Sequence, residues 1–326
     1  MILHKDITLF RAAIKLTAQR MNLPEIYIEK DYWVTLALHR IFTSQLSNEI
    51  IFKGGTSLLK CFSFIKRFSE DIDLVVLRNQ NDTGNKLKAK LKQISQLLIP
   101  VLPEIEIVGV TNKKGMIRKT AHTYSKEFEG NYGQIKDVVI IEASWLGYHE
   151  PYTKRQVSSF IYEMLKNTGQ VSMAEDYGLL PFDVLVLEPI RTLCEKIMSL
   201  VRFSYSDDPI GELKKKIRHM YDLHQLLQEA ELSTFFESSA FEDLLIKVAN
   251  DDVISFKNNN QWLIQPPSKA RIFADLDSVW SQLTPIYNGA FKNLVYGILP
   301  GEKEVYTTLV RIKERLKGIK WTIKVD

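Results

Sequence analysis

The fold of this chain is most constrained by three features that follow one another in the sequence: a short apolar segment, a double glycine, and a second apolar segment that contains two aspartates. Ile50–Phe52 precede Gly54-Gly55 by one residue, and DIDLVVL follows at 71–77. Glycine interrupts regular secondary structure. The segment that begins at Ile50 therefore predicts a strand, a turn and then a helix capped by Thr56 or Ser57. The β-branched and aliphatic segment 71–77 predicts a second strand.

Asp71 and Asp73 are the strongest candidates for chemistry. Residues i and i+2 of a strand point to one face, so the two carboxylates lie side by side with backbones about 7 Å apart. Such a pair suits two Mg²⁺ ions about 3.5 to 4 Å apart, which stabilise both oxygens of a phosphoryl displacement. Glu142 interrupts the apolar sequence VVIIEASW, where an unpartnered charge is costly. It is our candidate for a third metal ligand or a general base, and a solvent-facing sheet edge is the alternative.

The double glycine supplies the other half of a phosphate-binding site. Without side chains, Gly54 and Gly55 allow backbone N–H groups and the Ser57 hydroxyl to approach a triphosphate at a helix N-terminus. A double glycine or an Asp-x-Asp sequence alone is common by chance. Their order, separated by a helix and a turn, makes the combination more specific.

The rest of the sequence predicts an α+β fold. We expect residues 1–180 to form a mixed-sheet domain with N-terminal helices, and residues 181–326 to form a mainly helical domain without a further strand cluster. Leu193, Ile197 and Leu200 lie on one helical stripe of the second domain. Further helices are expected over 6–21, 29–42, 86–98, 213–227, 235–248 and 302–316, and further strands over 105–110 and 138–145.

Composition excludes several classes of protein. Of 326 residues, 45% are hydrophobic and 25% are charged, which excludes a disordered or fibrous chain. No apolar segment reaches the roughly 18 residues that span a bilayer, and MILHKDITLF lacks the apolar core of a signal peptide. We therefore expect a cytoplasmic protein with no membrane partner. Cys61 and Cys194 lie far apart and predict neither a disulfide nor a zinc site.

Basic residues are concentrated in two segments, although the net charge is only +4. Between Gly84 and Thr120, eight basic residues stand against two acidic ones. Lys214–Lys216 and Arg218 form the second segment. Such segments could neutralise the phosphates of RNA or a nucleotide, and a solvated helix face is the alternative.

Five segments together resemble a known family. FKGGTSLLK (52–60) and RFSEDIDL (67–74) resemble the nucleotidyltransferase superfamily related to polymerase beta, and more specifically the AbiEii/AbiGii toxin family of type IV toxin–antitoxin and abortive-infection systems. EKDYWVTLAL (29–38), LEPIRTLCEKIMSL (187–200) and RHMYDLHQLL (218–227) resemble other segments of that family. The resemblance spans about residues 25–230 and implies a nucleotidyltransferase domain.

The resemblance assigns roles around the glycine turn. Gly55 and Ser57 match the family's nucleotide-phosphate turn, and Asp71 and Asp73 match its metal-binding carboxylates. Additional candidates for nucleotide binding are Gly54, Thr56, Lys60, Arg67 and Ser69. For Lys60 and Arg67 the alternative is solvent exposure, and for Ser69 it is turn capping.

Two residues of the helical domain also match the family pattern. Lys196 matches a lysine proposed to contact the triphosphate, and Asp222 matches the last acid of the pattern. A helical wheel places Lys196 at the border between core and solvent, and Asp222 opposite the apolar stripe. Surface charge is the alternative for both.

The expected activity is Mg²⁺-dependent transfer of NMP from an NTP to a hydroxyl, with two Mg²⁺ ions. The resemblance implies a toxin that modifies RNA at the tRNA 3′ end and thereby blocks translation or phage growth, and it implies a cognate antitoxin. The alternatives are transfer to a small molecule or a protein hydroxyl, and an inactive nucleic-acid-binding module.

Overall fold

The structure, a computed structural model, describes residues 1–133, 135–147 and 149–325 and divides into two units. The first comprises Met1–Ser63, Phe68–Trp145 and Tyr152–Leu187. The second comprises Phe64–Arg67, Leu146–Pro151 and the chain from Glu188 onward. The first unit contains a mixed sheet with helices and the second is helical, so the α+β prediction is confirmed.

Within the described residues, the sheet of the first unit has seven strands in the order β3-β4-β5-β2-β1-β7-β6. The β2–β5 and β1–β7 pairs are parallel, and the other neighbours are antiparallel. The apolar residues of the central strands β1, β2 and β5 are buried without alternation, as in strands covered on both faces. The strands are β1 Ile50–Lys53, β2 Ile72–Val76, β3 Glu104–Ile105, β4 Ile117–His122, β5 Val139–Ser144, β6 Tyr152–Val157 and β7 Phe182–Leu187.

Capping residues mark the two ends of the first helix, and the second helix is buried. The Asp6 carboxylate accepts the Leu9 N–H at 3.0 Å and caps the first helix, which ends before Asn22 in the left-handed region. The second helix is buried on nearly all sides, including its charged residues 29–31. These helices are α1 Ile7–Met21, α2 Glu25–Phe42, α3 Gly54–Lys60, α4 Gly84–Gln96, α5 Phe160–Asn167 and α6 Val171–Asp176.

One strand prediction was wrong, and three further strands were missed. The strand expected over 105–110 is limited to Glu104–Ile105, because residues 107–111 form a turn in which Ile107 O accepts two backbone N–H groups. Strands β4 and β6 were missed because their sequences, IRKTAH and YTKRQV, are mostly polar. Strand β7 was missed because residues after Pro181 were assigned to helices. It belongs to the first unit, so the sheet extends past residue 180.

The second unit is built from helices, and its Phe64–Arg67 segment is bound to them by backbone contacts. Arg67 forms an antiparallel bridge with Val295, and the Tyr296 N–H donates to Lys66 O at 3.0 Å. No helix in the described part of the chain is long and apolar enough to cross a membrane. The helices are α7 Pro189–Phe203, α8 Pro209–Lys215, α9 Ile217–Gln228, α10 Ala230–Glu237, α11 Ser239–Ser255, α12 Arg271–Ala274, α13 Leu276–Ile286 and α14 Glu302–Lys317.

Candidate active site

Three carboxylates meet on neighbouring strands of the first unit, and we call Asp71, Asp73 and Glu142 the acidic cluster. Asp71 immediately precedes β2, and Asp73 lies within it. Asp73 is the register partner of Glu142 on the parallel strand β5, so their side chains share one face of the sheet. Strand β5 lies between β2 and β4, so Glu142 does not lie at a sheet edge, although its side chain is 40% exposed to solvent.

Asp73 is electrostatically destabilised as an anion. Burial, followed by the charges of Glu142 and Asp71, raises its pKa to about 7, although Lys53 and Lys119 act in the opposite direction. An ordinary aspartate has a pKa near 4. Lys53 and Lys119 therefore offset only part of the burial and the repulsion at Asp73.

Lys119 on β4 is a member of the site that the sequence analysis did not single out. Its Nζ lies 2.8 Å from Glu142 Oε2. Burial opposes the charged form of Lys119, but Glu142, Asp71 and Asp73 together raise its pKa. In the sequence, Lys119 was one of eight residues in a basic run, and only the β4–β5 pairing distinguishes it from the others.

The fit of Mg²⁺ depends on Asp71 and Asp73. Among the described residues, no group of three or more His, Cys, Asp or Glu side chains could hold a metal ion. Mg²⁺ does not need such a group, because it is commonly held by one or two carboxylates together with substrate phosphates. A cation at Asp73 would also relieve the repulsion that raises its pKa. Two-carboxylate binding thus fits the chemistry of the acidic cluster.

Gly54 brings the turn close to Asp73. Its φ of +83° lies in the left-handed region, which residues with a side chain rarely adopt. A Cβ at this position would collide with Asp73 Oδ2. Glycine is therefore required twice, for the backbone conformation and for the space that the carboxylate occupies. Helix α3 begins here, with Lys53 as its N-cap.

The hydroxyls near the turn bind protein atoms. The Ser57 hydroxyl donates to Gly54 O at 2.9 Å, and the Thr56 hydroxyl donates to Asp71 O at 2.6 Å and lies 3.0 Å from the Ser69 hydroxyl. The expected cap by Thr56 or Ser57 is absent from α3, because the helix begins at Gly54 without a side-chain cap. These hydroxyls tie α3 to the residues that precede β2, and the first backbone N–H groups of α3 are left as donors for phosphate.

The second unit contains a separate charged group, which we call the ion-pair cluster: Arg67, Lys196 and Asp222. Arg67 binds both carboxylate oxygens of Asp222, each at 2.7 Å, and Lys196 Nζ lies 2.7 Å from Oδ2. Burial alone would raise the pKa of Asp222, but the two cations hold it well below its usual range. The placement of Asp222 off the core was wrong, because it is fully buried.

Lys196 and Arg67 also differ from their expected environments. Lys196 is 6% exposed rather than at the border with solvent, and Arg67 is 2% exposed, so the alternative of solvent exposure for Arg67 was wrong. Next to them, burial and the charges of Lys196 and Lys216 lower the pKa of His219.

The first basic segment is less positive than its composition indicates. Asp82 and Glu142 lie outside this segment in the sequence, but next to its basic residues in space. Five of its basic residues have carboxylate partners, so its field is partly neutralised. The pairs join Lys86 and Lys90 to Asp82, Lys113 and Arg118 to Glu104, and Lys119 to Glu142.

A carboxylate pair at the start of a strand, after a glycine turn and a short helix, is the arrangement on which the resemblance to nucleotidyltransferases rests. A family model described as nucleotidyl transferase AbiEii toxin, type IV toxin–antitoxin system, matches residues 36–293. The chain belongs to this family, and it is therefore a nucleotidyltransferase, as the resemblance of its motifs implied. Membership implies an NTP substrate and a cognate antitoxin.

The nucleotidyltransferase toxin MenT4 from Mycobacterium tuberculosis H37Rv is similar over 92% of this chain and 98% of its own, with 16% sequence identity and a TM-score of 0.47. No curated protein matches the chain.

Proposed function

We propose that this protein is a Mg²⁺-dependent toxin that transfers NMP from an NTP to RNA, with the tRNA 3′ end as acceptor. The observation that carries this proposal is the position of Asp73 opposite Glu142 on β5 and two residues after Asp71, where burial and the two carboxylates raise its pKa to about 7. A partly buried excess of carboxylate next to a glycine turn suits a cation and a triphosphate together.

In the proposed reaction, an acceptor hydroxyl oxygen forms a bond to the α-phosphorus, the bond to the β-phosphate oxygen breaks, and pyrophosphate leaves. Mg²⁺ held by Asp71 and Asp73 would supply positive charge for the phosphates. Backbone N–H groups at Gly54 and Gly55 would bind phosphate oxygens. Glu142, held through Oε2 by Lys119, would accept the hydroxyl proton.

Lys196 and Asp222 are further candidates for this reaction on the family resemblance alone. The resemblance makes Lys196 our candidate contact for the triphosphate, and this contact requires its ammonium to leave the buried 2.7 Å ion pair with Asp222. A cation on the phosphates would stabilise charge that develops on the leaving pyrophosphate.

A tRNA acceptor accounts for toxicity. Addition of a nucleotide to the 3′ end removes the hydroxyl that carries the amino acid, so translation stops, and phage growth, which depends on translation, stops with it. The unpaired basic residues of the segment 84–120 would contribute contacts to the RNA backbone. Such a reaction would take place in the cytoplasm, where tRNA is found, and a cognate antitoxin would restrain it.

The test is incubation with Mg²⁺, a bulk tRNA pool and each α-labelled NTP in turn. Wild type is expected to label tRNA, and the Asp71→Ala, Asp73→Ala double variant is expected to lose at least about 10²-fold of this activity. An Asp207→Ala variant, at an exposed position in the second unit, serves as the matched control. Label on protein or small molecules instead of tRNA would favour a different acceptor. No label on any acceptor would favour a binding module.

A further inference from the structure

Helix α3 carries the glycine turn, yet it is too short to hold its own orientation. It spans Gly54–Lys60, seven residues, whereas isolated helices shorter than about 12 residues are unstable in water. Contacts at its two ends must therefore fix its position. At the first turn, the Thr56 hydroxyl binds Asp71 O at 2.6 Å.

The last turn of α3 is fixed by Lys60. Its Nζ lies 2.6 Å from Asp31 Oδ1, 2.8 Å from the Thr35 hydroxyl and 3.1 Å from Ser158 O. The side chains of Lys60 and Asp31 are each 2% exposed. An ammonium has three N–H donors, and all three of these have acceptors here. Lys60, which the sequence analysis assigned to nucleotide binding, would have to break a buried ion pair to contact phosphate.

Asp31 joins three elements of the first unit. It lies on α2, its Oδ1 binds Lys60 on α3, and its Oδ2 accepts the Phe160 N–H at the start of α5 at 2.8 Å. The Lys60 ammonium also lies 5.4 Å from the centre of the Phe160 ring. A buried carboxylate with a fully bonded cation on one oxygen and a backbone donor on the other has a fixed orientation.

We propose that Asp31 is a positioning residue for nucleotide binding, which acts through Lys60 to hold α3 and thereby the backbone N–H groups of the glycine turn. This inference rests on the proposed function, because it assigns the turn to the triphosphate. Asp31 itself touches neither substrate nor metal. A displacement of the turn by a fraction of an ångström weakens every phosphate contact it makes.

The first test compares Lys60→Met with Lys90→Met. Both changes remove a lysine that is paired with carboxylates in the first unit, but Lys90 lies on α4 and binds Asp82 and Glu49. Lys60→Met is expected to raise the KM for the NTP about tenfold with a smaller change in kcat. Lys90→Met is expected to leave the KM unchanged. Equal KM values for wild type and a folded Lys60→Met would overturn the proposal.

A second set of variants covers the case in which Lys60→Met does not fold. Asp31→Asn combined with Lys60→Met leaves neither charge unpaired in the interior. If the two residues act as one unit, the KM of the double variant should equal that of either folded single variant. If the double variant instead raises the KM by the product of the two single effects, the residues act independently and Asp31 does not act through Lys60.

Hydrogen exchange supplies a readout that does not need activity. The amide of Cys61, bonded to Ser57 O at 2.9 Å, should exchange faster in the double variant than in wild type and Lys90→Met. If wild type transfers no NMP, the proposed function fails. Separately, an unchanged exchange rate of the Cys61 amide in the double variant would refute the anchoring of α3. If wild type is active and the KM is unaffected, only the positioning role fails.

Discussion

The acidic cluster of the first unit and the ion-pair cluster of the second place an aspartate in opposite environments. Burial and two carboxylates raise the pKa of Asp73 to about 7. Burial acts on Asp222 in the same direction, but Arg67 and Lys196 outweigh it and lower the pKa. The protein's own cations thus outweigh burial at Asp222, whereas Lys53 and Lys119 do not outweigh burial and repulsion at Asp73. The difference predicts that Asp222 stabilises the fold and that Asp73 gains from a bound cation.

The two environments give opposite dependences of stability on pH. Asp222, with a lowered pKa, contributes stability that is fully present above the unfolded value near 4 and is lost as the pH falls through its folded value. Asp73, with a raised pKa, contributes stability below about pH 4 that is lost as the pH rises through about 7. Matched Asp→Asn changes can therefore separate the two clusters.

Asp222→Asn is expected to have the largest effect on stability. The change leaves Arg67 and Lys196 without their buried carboxylate, which should lower the free energy of unfolding by about 3 kcal/mol at pH 7. Urea unfolding of this variant and of the exposed control Asp207→Asn measures the difference. A loss no greater than that of the control would show that Asp222 does not stabilise the second unit.

Asp73→Asn is expected to act in the opposite direction. Without divalent ions, the variant should be more stable than wild type by about 2 kcal/mol at pH 8, because the repelled carboxylate is gone. The gain should shrink as the pH falls from 7 to 4, and transfer activity should be lost. Urea unfolding across this pH range measures the effect. Mg²⁺ should raise the melting temperature of wild type only. A variant less stable than wild type at pH 8 would contradict the comparison.

The sequence predicts the acidic cluster better than the ion-pair cluster, and distance along the chain explains the difference. Strand β1, the glycine turn and Asp73 are encoded by local patterns of apolar residues and glycine. The contact of Arg67 with Asp222 joins residues 155 positions apart. A helical wheel assigns a charged residue to solvent unless its partner is known, so Asp222 was misplaced. The Lys60–Asp31 pair was missed for the same reason.

Gly54→Ala tests the space beside Asp73. The left-handed backbone should cost about 1 to 2 kcal/mol of stability, and the new methyl group should displace the Asp73 carboxylate. We expect about tenfold weaker activation by Mg²⁺, measured from the Mg²⁺ dependence of NMP transfer. Gly84→Ala is the control, because a Cβ there meets no atom within 4 Å. Equal Mg²⁺ dependence in both variants would show that the turn and the carboxylate are not coupled.

Lys119→Met is expected to have the smallest effect and to refine the comparison within the acidic cluster. Lys119 lowers the pKa of Asp73, so its removal should raise that pKa further and move the acidic limb of the pH–rate profile upward by less than about one pH unit. Activity should therefore fall more at pH 6 than at pH 8.5. The exposed residue Lys114, in the same basic segment, supplies the control variant Lys114→Met. A profile that moves equally in both variants would mean that the general charge of the segment, and not the 2.8 Å pair with Glu142, sets the electrostatics of Asp73.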